Sequence, residues 1–516
     1  MASVASNVGT WMHDVGASWF MTELSRSPFM VALMQTATAM PVFLLALPAG
    51  ALADIVDRRR LLILTQSWML LTAVVLGVLA LAHAVGPWTL LLLTFSLGFG
   101  GAMNAPAWQA IVPEVVSRED LPAAVALGGV GMNLARAVGP ALGGLIVAAA
   151  GPGAVFLLNA VSFLGVILVL FRWQRQPQEV ALPERLLGAM KAGTRYVRHA
   201  PPLQAVLIRA AAFIISGSGL WAMLPLLARR VLGLDAFRYG VLLGCLGVGA
   251  VAAAQVLPRV KGQVLIDPLI AGATLLMATA TATLALVRSY PVLCAAMMVA
   301  GIGWMTVMSS FNVAAQGASP GWARARTLGF YLLVFQGGMA VGSILWGAVA
   351  ARAGVPAALL GAAGGQVLGL AAMLRYRLEA AEGLDHTPSA HWPEPMLPED
   401  PHLEKGPVLV AVEYRIEPAR AAEFVHAMQG LQRLRRRDGA IRWGLFHDLA
   451  RPGRFVETFL VETWAEHLRQ HERVTMADRE VESRAHAFHL GPEPPAVSHL
   501  IAEHVPRNGE DRHGRA

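Results

Sequence analysis

Long apolar runs recur through roughly the first three quarters of the chain, and no other feature restricts its fold so strongly. A helix needs about 20 mostly apolar residues to cross a bilayer, and a spanning segment must satisfy its own backbone hydrogen bonds. Runs of that kind fall near residues 4–24, 29–53, 61–82, 88–112, 123–149, 154–171, 203–227, 239–257, 269–287, 292–314, 327–351 and 357–376. The spacing therefore predicts twelve transmembrane helices. The break at 172–202 is the longest and divides them six and six. Only 15% of residues are charged, against about a quarter in a soluble domain. Beyond residue 377 the composition turns water-soluble.

Basic residues set the expected orientation. Arg58, Arg59, Arg60, Arg118, Arg172, Arg175, Arg185, Lys191, Arg195, Arg198, Arg259, Lys261, Arg324 and Arg326 lie in even-numbered connections. Arg26, Arg229, Arg230, Arg238, Arg288 and Arg352 lie in odd-numbered ones. The excess predicts cytoplasmic even connections, with both termini and the soluble tail on the same side. It also accounts for the net charge of +7 without nucleic acid. Cys245 and Cys294 sit inside apolar runs and read as packing residues. Nothing near Met1 has the pattern of a cleavable signal. The first span carries Asn7, His13 and Asp14 with no basic lead, so a start upstream of Met1 stays open.

The halves share a residue pattern. Gln109 and Pro113 match Gln316 and Pro320, while Gly139, Gly144 and Gly151 match Gly342, Gly347 and Gly354 at a constant offset of 203 (342 − 139). Two parallel six-helix repeats place a substrate site near the bilayer midplane, between the halves. Such duplication favours a transporter over a receptor or membrane enzyme.

Between spans two and three the chain reads Gly50-Ala-Leu-Ala-Asp54-Ile-Val-Asp57-Arg58-Arg59-Arg60. As plain chemistry this is a solvated basic loop beside a helix end. Its order and position resemble the loop motif of the major facilitator superfamily, with Ile55 and Asp57 departing from the pattern and a degraded counterpart at 258–261. In that family the motif supports gating. Span five reads Asn133-Leu-Ala-Arg136-Ala-Val-Gly139-Pro140-Ala-Leu-Gly143-Gly144. Its glycines admit a close neighbour and its proline bends the helix. Packing alone explains that much, and the motif also resembles the span-five signature of antiporters. Wider wording (Ala105–Glu114, Arg118–Leu127, Phe156–Phe163) looks like the enterobactin-exporter branch, over essentially the whole chain. The resemblance implies the major facilitator fold, the bacterial cytoplasmic (inner) membrane, efflux and proton coupling, with no cofactor and no particular substrate.

Ionisable residues at membrane depth are costly and usually face a cavity or partner. Asp14 and Arg136 are the two such residues singled out. A carboxyl that alternates between an apolar cavity and an arginine can take up and release a proton, so Asp14 is the expected proton carrier and Arg136 its gated partner. A static pair, or an Asp14 solvated at the surface, is the plainer alternative. Trp11, Asn104, Gln109, Asn159, Trp304, Asn312 and Gln336, with Asn133 of span five, are cavity candidates, each also explicable as a packing contact. The central stretch 185–198 mixes basic and apolar residues and suits a surface-lying helix.

The tail reads strand (408–416), helix (419–437), strands (441–448 and 454–461), helix (464–487) and strand (497–504). That order is the ferredoxin-like plan, and it resembles small antibiotic-biosynthesis-monooxygenase-like domains, which pair as dimers. His467 and His471 share a helix face, but Leu468 stands where a zinc-protease helix needs glutamate; convergence of Glu457, His447 and His489 is not fixed, so no metal is expected.

The expected organisation is a six-helix half (1–171), a cytoplasmic linker (172–202), a second half (203–378), a linker (379–406), a ferredoxin-like domain (407–505) and a disordered end (506–516). The expected function is proton-coupled export of small amphipathic molecules, with self-association through the tail. An importer on the same scaffold and a membrane-anchored enzyme or sensor are the alternatives.

Overall fold

In the computed structural model the described residues are 2–117, 119–173, 186–260, 263–378, 385–389, 391–392 and 402–503. Side chains at 47, 50, 51, 53–55, 113, 114, 122, 125, 126 and 186–192 also fall outside the description. Arg118, Arg175, Arg185, Lys261, the burial of Gly50, the side chains of Asp54 and Lys191, most of the 379–406 linker and the end at 506–516 therefore lie outside it.

The first part is helical: α1 (Ala2–Leu24), α2 (Pro28–Ile55), α3 (Arg58–Leu81), α4 (Pro87–Val115) and α5 (Leu121–Arg172). There follow α6 (Leu186–His199), α7 (Pro201–Leu226) with a π-helical turn (Leu227–Val231), α8 (Ala236–Val260), α9 (Ile266–Leu286), α10 (Tyr290–Gly317), α11 (Arg324–Ala353), α12 (Val355–Gly369) and the short α13 (Ala372–Arg375). Prolines in the first turn start α2 and α4, where a missing N–H costs nothing. Asp57 caps α3, accepting the Arg60 N–H at 2.8 Å.

Among the described residues ten helices are long and apolar enough to cross a membrane. Two features separate that number from the expected twelve. Ser, Asn, Thr, His and Asp side chains lower the hydropathy of α1, which is not among the ten. The fifth and sixth runs form one 52-residue helix, broken only at Gly151 (φ 78°, ψ 170°). Gly354, between α11 and α12, has nearly the same backbone (φ 87°, ψ 163°), and only glycine takes this conformation readily.

The other glycines of the repeat also make corresponding contacts. A Cβ on Gly139 would lie 2.6 Å from Trp11 Cβ of α1, and one on Gly342 would meet Ser218 and Ile215 of α7. At Gly144 it would lie 2.5 Å from Ala236 O of α8, and at Gly347 2.6 Å from Ala32 Cβ of α2. Thus α5 packs on α1 and α8, and α11 packs on α7 and α2.

The chain divides into two compact units, one of residues 1–186, 205–315 and 328–380, the other of 187–204, 316–327 and 381–516. In the second unit β1 (Val408–Arg415), β2 (Arg442–His447), β3 (Arg454–Val461) and β4 (Ala496–Ile501) form an antiparallel sheet in the order β2-β3-β1-β4. It carries α14 (Ala421–Asp438), α15 (Trp464–Arg473) and α16 (Met476–His486). The sheet buries Val408, Val410, Val412 and Tyr414 against Phe424, Met428 and Leu431. The single helix expected over 464–487 is two. Thr475 and Asp478 bond each other's backbone N–H groups, so a new helix starts there.

Candidate functional site

Trp11 of α1 fits between two groups of α5. The Arg136 guanidinium stands over the indole at 5.6 Å, and glycine at 139 leaves room for the Trp11 backbone side. Asp14 lies one turn further along α1 and is half-buried. Neither Asp14 nor Arg136 carries an ion pair among the described residues; the arginine is held by the aromatic face instead. His13, 1% exposed, has both ring nitrogens without partners among the described residues and packs on Phe156 at 4.7 Å. Burying a polar ring with no hydrogen-bond partner costs free energy.

The other expected residues take several different positions. Asn104 accepts from Thr65 (3.1 Å) and Gln66 (3.2 Å), joining α3 to α4. Asn159, fully buried, meets Ser162 at 3.2 Å and faces Gly9. Gln109 is exposed, while Asn133, Asn312 and Gln336 are half-buried. Trp304 lies in an aromatic group with Trp221 (5.6 Å), Phe213 (5.8 Å) and Phe335 (6.1 Å), drawn from α7, α10 and α11. In the loop motif Arg59 donates to Leu170 O and Phe171 O, both 2.9 Å, at the end of α5. Arg58 reaches Ala110 O of α4 at 3.4 Å. Pro140 and Gly143 continue the α5 contacts: a Cβ on Gly143 would lie 2.8 Å from Met12 Cα.

Sequence reasoning missed a buried ion pair. Arg209 of α7 and Asp267 of α9 form a salt bridge at 4% and 7% exposure. Asp267 also accepts from Leu378 N at 3.2 Å, and Arg209 donates to Tyr376 O at 3.3 Å. Arg209 within an apolar run was the available signal; Asp267 fell just outside the ninth run. At the other end of the helices Arg229 pairs with Glu23 at 2.7 Å and covers Trp19 at 5.2 Å, while Arg230 donates to the carbonyls of Ser25 and Arg26. Trp19 stacks on Tyr239 at 5.5 Å. These contacts, with Gly144 against Gly240 and Thr36 Oγ1 donating to Ala340 O at 3.2 Å, join α1, α2 and α5 to the π-helical turn after α7, to α8 and to α11.

In the tail Glu457 turns inward to Tyr414 (3.2 Å), Arg435 (3.1 Å) and Trp443 (2.9 Å). His447 stacks on Phe455 and His489 accepts from Arg415 N, so these three residues have separate partners. His467 and His471 face each other at 3.4 Å. Burial and neighbouring cationic groups push their pKa values down, to about 3 and about 4, leaving both neutral. Among the described residues no group of three or more His, Cys, Asp or Glu could hold a metal ion.

The model of a family described as transmembrane secretion effectors of the major facilitator type matches residues 1–507. The Staphyloferrin A transporter of Staphylococcus aureus is 26% identical over 49% of the chain and 64% of its own length. The multidrug efflux pump Tap of Mycolicibacterium fortuitum is 24% identical over 40% and 53%, and the enterobactin exporter EntS of Salmonella typhimurium 26% over 56% and 68%. The chain thus spans about half to two thirds of the length of these relatives. Among solved structures, a mutant of the nucleoside transporter NupG superposes at TM-score 0.61 with 12% identity, covering 73% of this chain and 99% of its own. A bacterial homologue of the lysosomal transporter Spinster, inward-facing and occupied, gives 0.57 at 15%, over 74% and 94%. Family and fold are those of transporters, and the chain belongs to the transmembrane secretion effector family of the major facilitator superfamily.

Proposed function

We propose that the chain is a proton-coupled exporter of small amphipathic molecules in the bacterial cytoplasmic membrane, working by alternating access between two six-helix halves. The observation that carries this reading is the paired glycine contact set. Gly144 of α5 against α8 and Gly347 of α11 against α2 relate two interfaces by one repeat operation, as rocking about a shared site requires. Twelve spans follow if α1 crosses and the two arms of α5 on either side of Gly151 cross separately. The basic residues then put both termini and the tail on the cytoplasmic side. The contacts joining the odd-numbered ends support an inward-facing state.

Asp14 is the proton-carrying group in this reading, and Arg136, resting on Trp11, is the partner it meets in the other state. Trp304 with Trp221, Phe213 and Phe335 offers aromatic faces to an amphipathic substrate. Export is favoured by the span-five motif and by relatives named for efflux. The strand order β2-β3-β1-β4 supports a ferredoxin-like tail, through which chains self-associate. The test is ethidium movement in inverted vesicles under an imposed pH gradient. Asp14→Asn is expected to bind ethidium but to lose its response to the gradient, and an unaltered response would end the coupling assignment.

A further inference from the structure

The second compact unit is not made of the tail alone. It includes residues 187–204, which hold most of α6, and 316–327, the connection between α10 and α11. These two segments lie more than a hundred residues apart in sequence, yet they meet on one edge of the tail. The Tyr196 hydroxyl, on a side chain 2% exposed, donates to Ala318 O at 2.7 Å. Its ring meets Trp322 edge-on at 5.5 Å. The tail then covers this aromatic pair with arginines. Arg437 stands over Tyr196 at 5.7 Å and Arg473 over Trp322 at 4.8 Å.

Both arginines are fixed from behind, Arg437 by Asp438 and Asp478 and Arg473 by Glu466. Glu466 also takes Arg195 at 2.6 Å, and His386 bonds Gly317 O at 2.8 Å. Ser319 and Ala323 are fully buried. A guanidinium over an aromatic face, with its own charge already paired, is a specific and desolvated contact. Repeating it on two rings from two distant segments makes a binding surface.

We infer that the tail is an internal clasp: the surface of Arg437, Glu466 and Arg473 docks the Tyr196–Trp322 pair and so couples the connection leading into α7 to the one joining α10 and α11. The tail's role on this view is to govern how freely those two connections move, whichever way substrate travels.

The test is amide hydrogen exchange on the full chain in lipid nanodiscs. Tyr196→Ala should speed exchange across 318–323, and Trp322→Ala should speed it across 193–199, each by roughly five- to tenfold for the loss of a contact of hydrogen-bond strength. Strand 408–412 should stay protected in both. Tyr196→Phe keeps the ring contact and should fall between wild type and alanine. Wild-type exchange in one segment when the other is altered overturns the clasp. A variant that also loosens 408–412 reports unfolding, and the decision passes to Arg195→Gln, which reaches the tail through Glu466. Faster exchange over 318–323 in that variant supports the clasp, and unchanged exchange there overturns it.

Discussion

Gly144→Ala is the smallest change that should shift the conformational balance. A methyl there would sit 2.5 Å from Ala236 O and 3.0 Å from Gly240 Cα, both backbone atoms of α8. Ordinary contact begins near 3.4 Å, so the helices must separate by about 0.9 Å (3.4 minus 2.5). No flexible side chain can absorb that shift. Overpacking of this kind costs about 1–3 kcal/mol, which moves a two-state equilibrium about 5- to 160-fold. The cost falls on the conformation in which α5 and α8 touch, so the population should move toward the state in which they part. Spin labels at Ala84→Cys and Ser289→Cys, in a chain whose Cys245 and Cys294 are replaced by serine, would report the separation of the odd-numbered ends. A longer-distance population should grow. Gly129→Ala is the control, because a Cβ there meets nothing within 4 Å. If Gly144→Ala gives the same folded distance distribution as Gly129→Ala, the glycine contact does not set the balance.

Other outcomes follow from the charges. Asp267→Ala leaves Arg209 buried without its partner and should cost about 3–5 kcal/mol, seen as a lower Tm in detergent, whereas Arg209→Met with Asp267→Leu should recover most of the loss. The tail should weaken in acid. His467 and His471 have folded pKa values of about 3 and about 4, below the unfolded value near 6.5, so their contribution is complete above about pH 6.5 and is lost as pH falls toward the folded values. The slope is at most about 1.4 kcal/mol per pH unit for each histidine, less for the partly exposed His471. Fluorescence of Trp464, whose ring lies 5.2 Å from His467, should follow the loss, and His467→Gln should flatten it.

The apolar runs, the glycine offset and the loop and span-five motifs made the helical membrane fold readable, because each is local: length, composition and spacing suffice. The tail strands were readable for the same reason, through their alternation. The break at Thr475 was less so, since a capping box competes with a continuous helical pattern. Gly151 was matched to Gly354 as a repeat position, but that both bend the chain alike is a backbone fact.

What the sequence by itself determined was which stretches must be helices in lipid and which residues recur. Tertiary structure decided which charges meet. Asp14 and Arg136, both conspicuous in apolar runs, are not paired, while Arg209 reaches Asp267 across 58 positions. It also decided that Tyr196 and Trp322 share one surface of the tail. Pairing over such distances depends on how helices pack, and no local pattern of charge or hydropathy records it.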